Sequence, residues 1–168
     1  MPTLFPADPY HWLDANAFIQ AKNGPYSFKM APGFWRWLER ASRDGLIRSP
    51  MNVYQEIEPG TDELAQWAKR VRKSSSLFVW ADHEVQKCFG PIAVFVQQHY
   101  SAPQAAEFLR GADPWVIAHA LENQGTVVTH EVLAPPESLK VKIPNICAQF
   151  GVKCIGVYDA FRNLGLQL

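Results

Sequence analysis

The sequence carries no surplus of charge of either sign: 16 Lys and Arg stand against 16 Asp and Glu, for a formal net charge of +0. A chain without a basic excess does not draw nucleic acid by bulk electrostatics, so any attraction for phosphate has to come from local patches. Long apolar runs are missing as well. No stretch approaches the roughly 20 apolar residues of a membrane-spanning helix, so no membrane association is expected. The first residues, MPTLFPADPYHWLD, lack a basic segment followed by an apolar one. That argues against a secretory signal, and a cytoplasmic location is the expectation. Cysteine is scarce: Cys88, Cys147 and Cys154 form an odd, widely spaced set with no CxxC pair. Such a set fits reduced thiols better than a disulfide scaffold, and no His/Cys spacing supports zinc.

What is present is a hydrophobic fraction of 48% over 168 residues, with six Trp and ten Phe. This is enough for a substantial core in a single domain spanning residues 1–168, and too little for two comfortable ones. Short strands alternate with helices along the chain. Strands are expected at Tyr10 to Leu13, Leu46 to Arg48, Leu77 to Trp80, Thr126 to Val128 and Lys153 to Val157. Between them, Phe34, Trp37, Leu38 and Ala41 recur at helical offsets, and this aromatic cluster with Trp35 reads mainly as core. Pro50 opens a helix over Asn52 to Glu58, and Thr61 or Asp62 caps another over Glu63 to Lys73. A long helix is predicted from Asp82 to Tyr100, bent or interrupted near Gly90-Pro91. Further helices cover Gln104 to Leu109, Pro114 to Asn123 and Asn145 to Phe150, with a last one ending before Gly165. The pattern implies an α/β fold: a three-layer α/β/α sandwich around a central, mainly parallel sheet.

In such sheets ligands bind beyond the carboxyl ends of the strands. Asp14 closes HWLD and Glu131 closes TVVTHE. A strand that belongs in the core delivers a carboxylate only at a cost, unless solvent, a partner or a cation meets it. Asp113 heads the apolar stripe of Val116, Ile117, Ala120 and Leu121; an N-cap role is its ordinary explanation. In NVYQEIEPG, helical geometry sets Glu56 within about 60° of Val53 and Glu58 about 140° away, so Glu56 is expected to border the buried face. Carboxylates converging without Lys or Arg between them repel, and an oxygen-only cradle selects a hard divalent cation such as Mg²⁺ or Mn²⁺.

The order LDAN, VYQEI, ADPWVIAHAL and VVTHE resembles the PIN-domain ribonucleases. Within them it is similar to a bacterial PIN-like branch and to VapC-type toxins, with KIPNICAQFGVKC as a further match. The resemblance covers roughly residues 10–163. It implies a compact sandwich whose acids hold Mg²⁺ or Mn²⁺ for hydrolysis of RNA, leaving a 5′-phosphate and a 3′-hydroxyl. Asp14 matches the family's first acid, with Asn16 as its polar companion. Glu56 matches the second acid, Asp113 the third, and Thr129 with Glu131 the terminal Thr-x-Asp. Glu131 departs from that pattern: its extra methylene moves the carboxylate by about 1.5 Å, which leaves room for a bridging water.

The resemblance thus implies Asp14, Asp113 and Glu131 as metal ligands, with Glu56 orienting or deprotonating water. Thr129 and Asn16 would hold carboxylates by hydrogen bonds. Lys140 and Lys142 are candidates for RNA phosphate contact, ahead of the basic run Lys69 to Lys73, which reads as a solvated helix end. His130 is turned away from its neighbours by strand alternation. A toxin role implies a small antitoxin protein as partner, and a homodimer is a further expectation. Two other classes stand beside the nuclease. One is a non-catalytic PIN-fold interaction module, which Glu131 in place of Asp favours. The other is a phosphatase on a doubly wound sheet, which Asn16 disfavours because that position would need a second Asp.

Overall fold

A computed structural model describes residues 10–167. Along the chain run β1 (His11–Leu13), α1 (Ala15–Asn23), α2 (Pro32–Arg43), β2 (Ile47–Pro50), α3 (Met51–Ile57), α4 (Glu63–Ser74) and β3 (Phe78–Val79). They are followed by α5 (His83–His99), α6 (Ala102–Arg110), α7 (Asp113–Asn123), β4 (Thr126–Thr129), α8 (Ile143–Phe150), β5 (Lys153–Gly156) and α9 (Val157–Asn163). The five strands form one sheet in the order β3-β2-β1-β4-β5, and every pairing is parallel. Neighbouring residues on the central strands are both buried, Trp12 with Leu13 and Val127 with Val128. Successive strand side chains point to opposite faces, so both faces of the sheet are covered by helices. This is the α/β/α sandwich that the alternation of elements implies.

The core is tied across layers by aromatic contacts. Trp12 of β1 stacks on His119 of α7 with centroids 4.5 Å apart, and its indole N–H donates to Asn123 Oδ1 at 2.9 Å. Gly125, between α7 and β4, has no room for a side chain: a Cβ would stand 2.5 Å from the Tyr10 carbonyl oxygen. Glycine there lets β4 enter the sheet beside β1. Trp35 is buried and stacks on Phe28 at 4.0 Å, which places it in the core.

One element departs from expectation and another is unforeseen. The helix over residues 83–99 continues through Gly90 and Pro91 without interruption. Pro91 removes one N–H, but Pro91 and Lys87 are both exposed, so the helix tolerates the loss on its solvent side. Helix α1 was not expected at all. It starts directly after β1 because Asp14 is its N-cap, accepting from the Ala17 N–H.

Candidate functional site

The parallel order puts the carboxyl ends of β2, β1, β4 and β5 along one edge of the sheet. Asp14 stands one residue past β1 and is 1% exposed. Its Oδ1 accepts from the Ala17 N–H at 2.9 Å, and its Oδ2 accepts from the Thr129 hydroxyl at 2.6 Å. Thr129 ends β4, and its Oγ1 also accepts from the Glu131 N–H at 3.1 Å. One hydroxyl therefore couples the ends of the two central strands and orients the buried carboxylate.

Asp113 is the first residue of α7, whose N-cap is Ala112; its side chain makes no capping bond. The capping explanation fails because the chain enters the helix one residue earlier, which leaves the Asp113 carboxylate free to face the cleft. Capping of α7 falls to a distant acid, since Glu56 Oε1 accepts from the Ala112 N–H at 2.8 Å. Glu56 is exposed while Glu58 is only half-buried, the reverse of the helical-angle expectation. The long side chain of Glu56 reaches through solvent to α7 instead of packing against the core. Glu131 behaves similarly: Oε2 accepts from the Ile143 N–H at 2.7 Å, at the first residue of α8. Both glutamates thus sit on helix N-termini, where unpaired N–H groups and the helix dipole favour negative charge.

Electrostatically these acids act on one another. Burial raises the Asp14 pKa from 3.8 to about 6, against the lowering hydrogen bonds from Thr129 and Ala17; Glu131 and Glu56 add repulsion. Burial likewise raises Asp113 to about 7, helped by the charges of Asp14, Glu131 and Glu56 and opposed by Lys142. Desolvation and mutual repulsion thus oppose ionisation of both aspartates, a cost that a cation would relieve. The donor set, all carboxylate oxygen, fits Mg²⁺ or Mn²⁺. The present side-chain positions fit less completely. Among the described residues no three His, Cys, Asp or Glu side chains are grouped closely enough to hold an ion. Glu131 and Glu56 are drawn off to their helices, which leaves Asp14 and Asp113 as the core of any ligand set.

A cleft of about 340 Å³ opens over this edge, lined by Asn16, Glu56, Asp113, Lys140 and Lys142 among others. A second cavity, lined by Asn16, Gln20, His130, Glu131, Val132 and Lys142, adjoins it through Asn16 and Lys142. Lys140 and Lys142 thus both line the cleft that holds Asp113 and Glu56. Asn16 is exposed and, among the described residues, makes no hydrogen bond to a carboxylate. Two further residues of the first cleft, Gln104 and Glu107 of α6, escaped sequence reasoning. An isolated acid on a short exposed helix carries no spacing signal. His130 packs edge-on against Tyr158 at 5.5 Å, and burial lowers its pKa. Within the basic run, Arg70 pairs with Glu39 at 3.0 Å and Arg72 lies over Tyr54 at 4.8 Å. Cys147 and Cys154, remote from any motif in sequence, come near enough for each thiol to shift the other's pKa, Cys147 up and Cys154 down.

Five parallel strands under two helical layers, with acids at the carboxyl edge, define a PIN-like α/β fold. A family model described as Domain of unknown function (DUF4411) matches residues 11–168, and the chain belongs to that family. No curated protein matches it. Among solved structures, the chain is similar to one described as VapBC2 from Rickettsia felis bound to a DNA fragment from their promoter. The two share 13% identity at a TM-score of 0.51, over 88% of this chain and 98% of the other. At that identity the likeness is one of fold. No helix among the described residues is long and apolar enough to cross a membrane.

Proposed function

We propose that the protein is a Mg²⁺- or Mn²⁺-dependent endoribonuclease. The observation that carries this reading is the pair of buried Asp14 and half-buried Asp113, with pKa values raised to about 6 and about 7 at the carboxyl edge of a parallel sheet. Withdrawing two neighbouring acids from water, with only Lys142 to offset their charge, is costly unless a cation compensates them.

In this reading Asp14 and Asp113 hold the ion, and Glu131 joins through water or on leaving the Ile143 N–H. A bound divalent ion supplies Lewis acidity toward a phosphate and a water of lowered pKa. The Thr129 hydroxyl fixes the Asp14 carboxylate beneath the cleft, whose lining includes Asn16. Glu56 orients the attacking water or takes its proton, and Lys140 and Lys142 hold backbone phosphates of the RNA. By analogy with VapBC2, which was solved on DNA from its promoter, the chain is the toxin half of a toxin–antitoxin pair. It then acts inside the cell with a small antitoxin protein as partner, and as a homodimer. The analogy is at fold level.

The hydrogen bond that commits Glu131 to α8 favours one other reading, a PIN-fold interaction module without catalysis. Cleavage of single-stranded RNA by the purified protein in Mn²⁺, compared with Asp14→Asn, separates them. The nuclease reading expects turnover with 5′-phosphate products in the wild type and its loss in the variant. Equal turnover by both proteins removes the site.

A further inference from the structure

We infer that the carboxyl edge continues past the acids into an aromatic subsite that stacks a base of a single-stranded RNA, one flanking the scissile phosphate. This rests on the ribonuclease reading and adds to it a place where the substrate is gripped. The topology brings the parts together. Thr129 pairs with Gly156 across β4 and β5, so the residues just after each strand emerge side by side: His130 and Glu131 from one, Tyr158 from the other. From β1 to β5 is two strand spacings, on the order of 10 Å. That is the reach to a neighbouring nucleotide, not the width of the scissile group itself.

The cavity beyond Tyr158 has a volume of about 350 Å³ and is lined by Tyr26, Tyr158, Phe161, Arg162 and Leu166. Its wall residue Tyr158 packs edge-on, at 5.5 Å, against His130, which lines the neighbouring cavity beside Glu131. One wall is rigid. Tyr26 stacks on Phe34 at 4.6 Å, Phe34 packs on Phe161 at 5.4 Å, and the Tyr26 carbonyl accepts from the Trp35 indole N–H at 2.8 Å. The other wall, Tyr158, is 53% exposed and stands tilted at 47° to Tyr26, with centroids 6.3 Å apart. A large aromatic ring left uncovered beside a fixed one is a stacking platform, and every nucleobase offers it a π-face.

Charge agrees with that occupant. Arg162 lines the cavity, is 77% exposed on its side chain and reaches Asp159 only at 3.6 Å. It is available for a phosphate or for a base plane. At the other end of the track Lys142 lines both acid-bearing cavities. A duplex keeps its bases stacked on one another and has no free face to offer, so the subsite selects single strands.

The test is binding of a fluorescein-labelled, mixed-sequence single-stranded RNA nonamer in EDTA, followed by anisotropy, so that cleavage plays no part. Tyr158→Ala is expected to weaken binding about tenfold, and Tyr158→Phe to restore it. A nonamer of the same length with abasic positions is expected to bind wild type and Tyr158→Ala alike. Unfolding midpoints of the three proteins, followed by circular dichroism, should agree, because Tyr158 is more than half exposed. Equal affinity of wild type and Tyr158→Ala for the base-bearing strand overturns the subsite. So does an equal loss on the abasic strand, since the contact would then be to the backbone. Mn²⁺-dependent cleavage in the same proteins separates the two readings. Cleavage that needs Asp14 together with unchanged binding in Tyr158→Ala leaves the nuclease and removes the subsite. Weakened binding with no cleavage removes the nuclease and leaves a single-strand binding site.

Discussion

Thr129 bears more of the site than its size implies, because one hydroxyl serves two strand ends. It donates to Asp14 Oδ2 at 2.6 Å and accepts from the Glu131 N–H at 3.1 Å. Thr129→Val keeps the shape and removes both bonds. Stability is expected to fall by about 1–3 kcal/mol, because a buried carboxylate and an N–H lose partners. Mn²⁺ affinity, measured by calorimetry, is expected to fall about 10- to 100-fold, the usual cost of removing a group that orients a ligand. Unchanged affinity would show that Thr129 serves packing alone. At this scale the sequence was partly legible. Asp113 and Thr129 stand out with the help of the family resemblance, whereas Asp14 and Glu131 stand at strand ends and announce themselves by position. The direction of a long side chain does not. Helical angle placed Glu56 against the core, but its flexible stem carries the carboxylate through solvent to the Ala112 N–H. The approach of Cys147 to Cys154, close enough for each to shift the other's titration, depends on the turn between α8 and β5, which no spacing rule specifies.

Among the elements, α8 is held at its start by an acid from elsewhere in the chain. The bond from the Ile143 N–H to Glu131 at 2.7 Å replaces a local cap, since Lys142 offers none. Glu131→Ala is expected to destabilise the protein by about 0.5–2 kcal/mol, with amide exchange accelerated in the first turn of α8. If exchange there is unaltered, the capping role is wrong. Helix α5 gives a prediction of the opposite sign. Gly90 is exposed inside the helix, and a Cβ there would meet nothing within 4 Å. Gly90→Ala is therefore expected to stabilise by about 0.5–1 kcal/mol in chemical denaturation, with activity unchanged. The strand order was legible as a parallel sheet because strands alternate with helices. The start of α1 was not, because no Gly or Pro separates it from β1: Asp14 closes one element and caps the next within a single residue.

For the whole molecule, the raised acids couple stability to pH and to cations. Asp14 and Asp113 have pKa values near 3.8 when unfolded and about 6 and about 7 when folded. Between those values the folded state binds the extra protons. Their contribution is fully present below about pH 4 and is lost as pH rises through 6 and 7, by on the order of a few kcal/mol. His119 acts oppositely: burial lowers its pKa from 6.5 to about 4, so its contribution is lost as pH falls through that range. The contrast between wild type and Asp113→Asn isolates the acids. In EDTA the variant is expected to lose less stability between pH 5 and pH 8 than the wild type. Parallel pH profiles would contradict the raised value. Near pH 7.5, Mn²⁺ should restore to the wild type what deprotonation removes, because the ion binds the folded state alone.

The central claim is that carboxylates at the ends of β1 and α7 share one divalent ion, and calorimetric titration with Mn²⁺ at pH 7.5 tests it most directly. The account predicts binding by the wild type and a loss of at least about tenfold in affinity in both Asp14→Asn and Asp113→Asn. Three identical titrations, or no heat from the wild type, would contradict it.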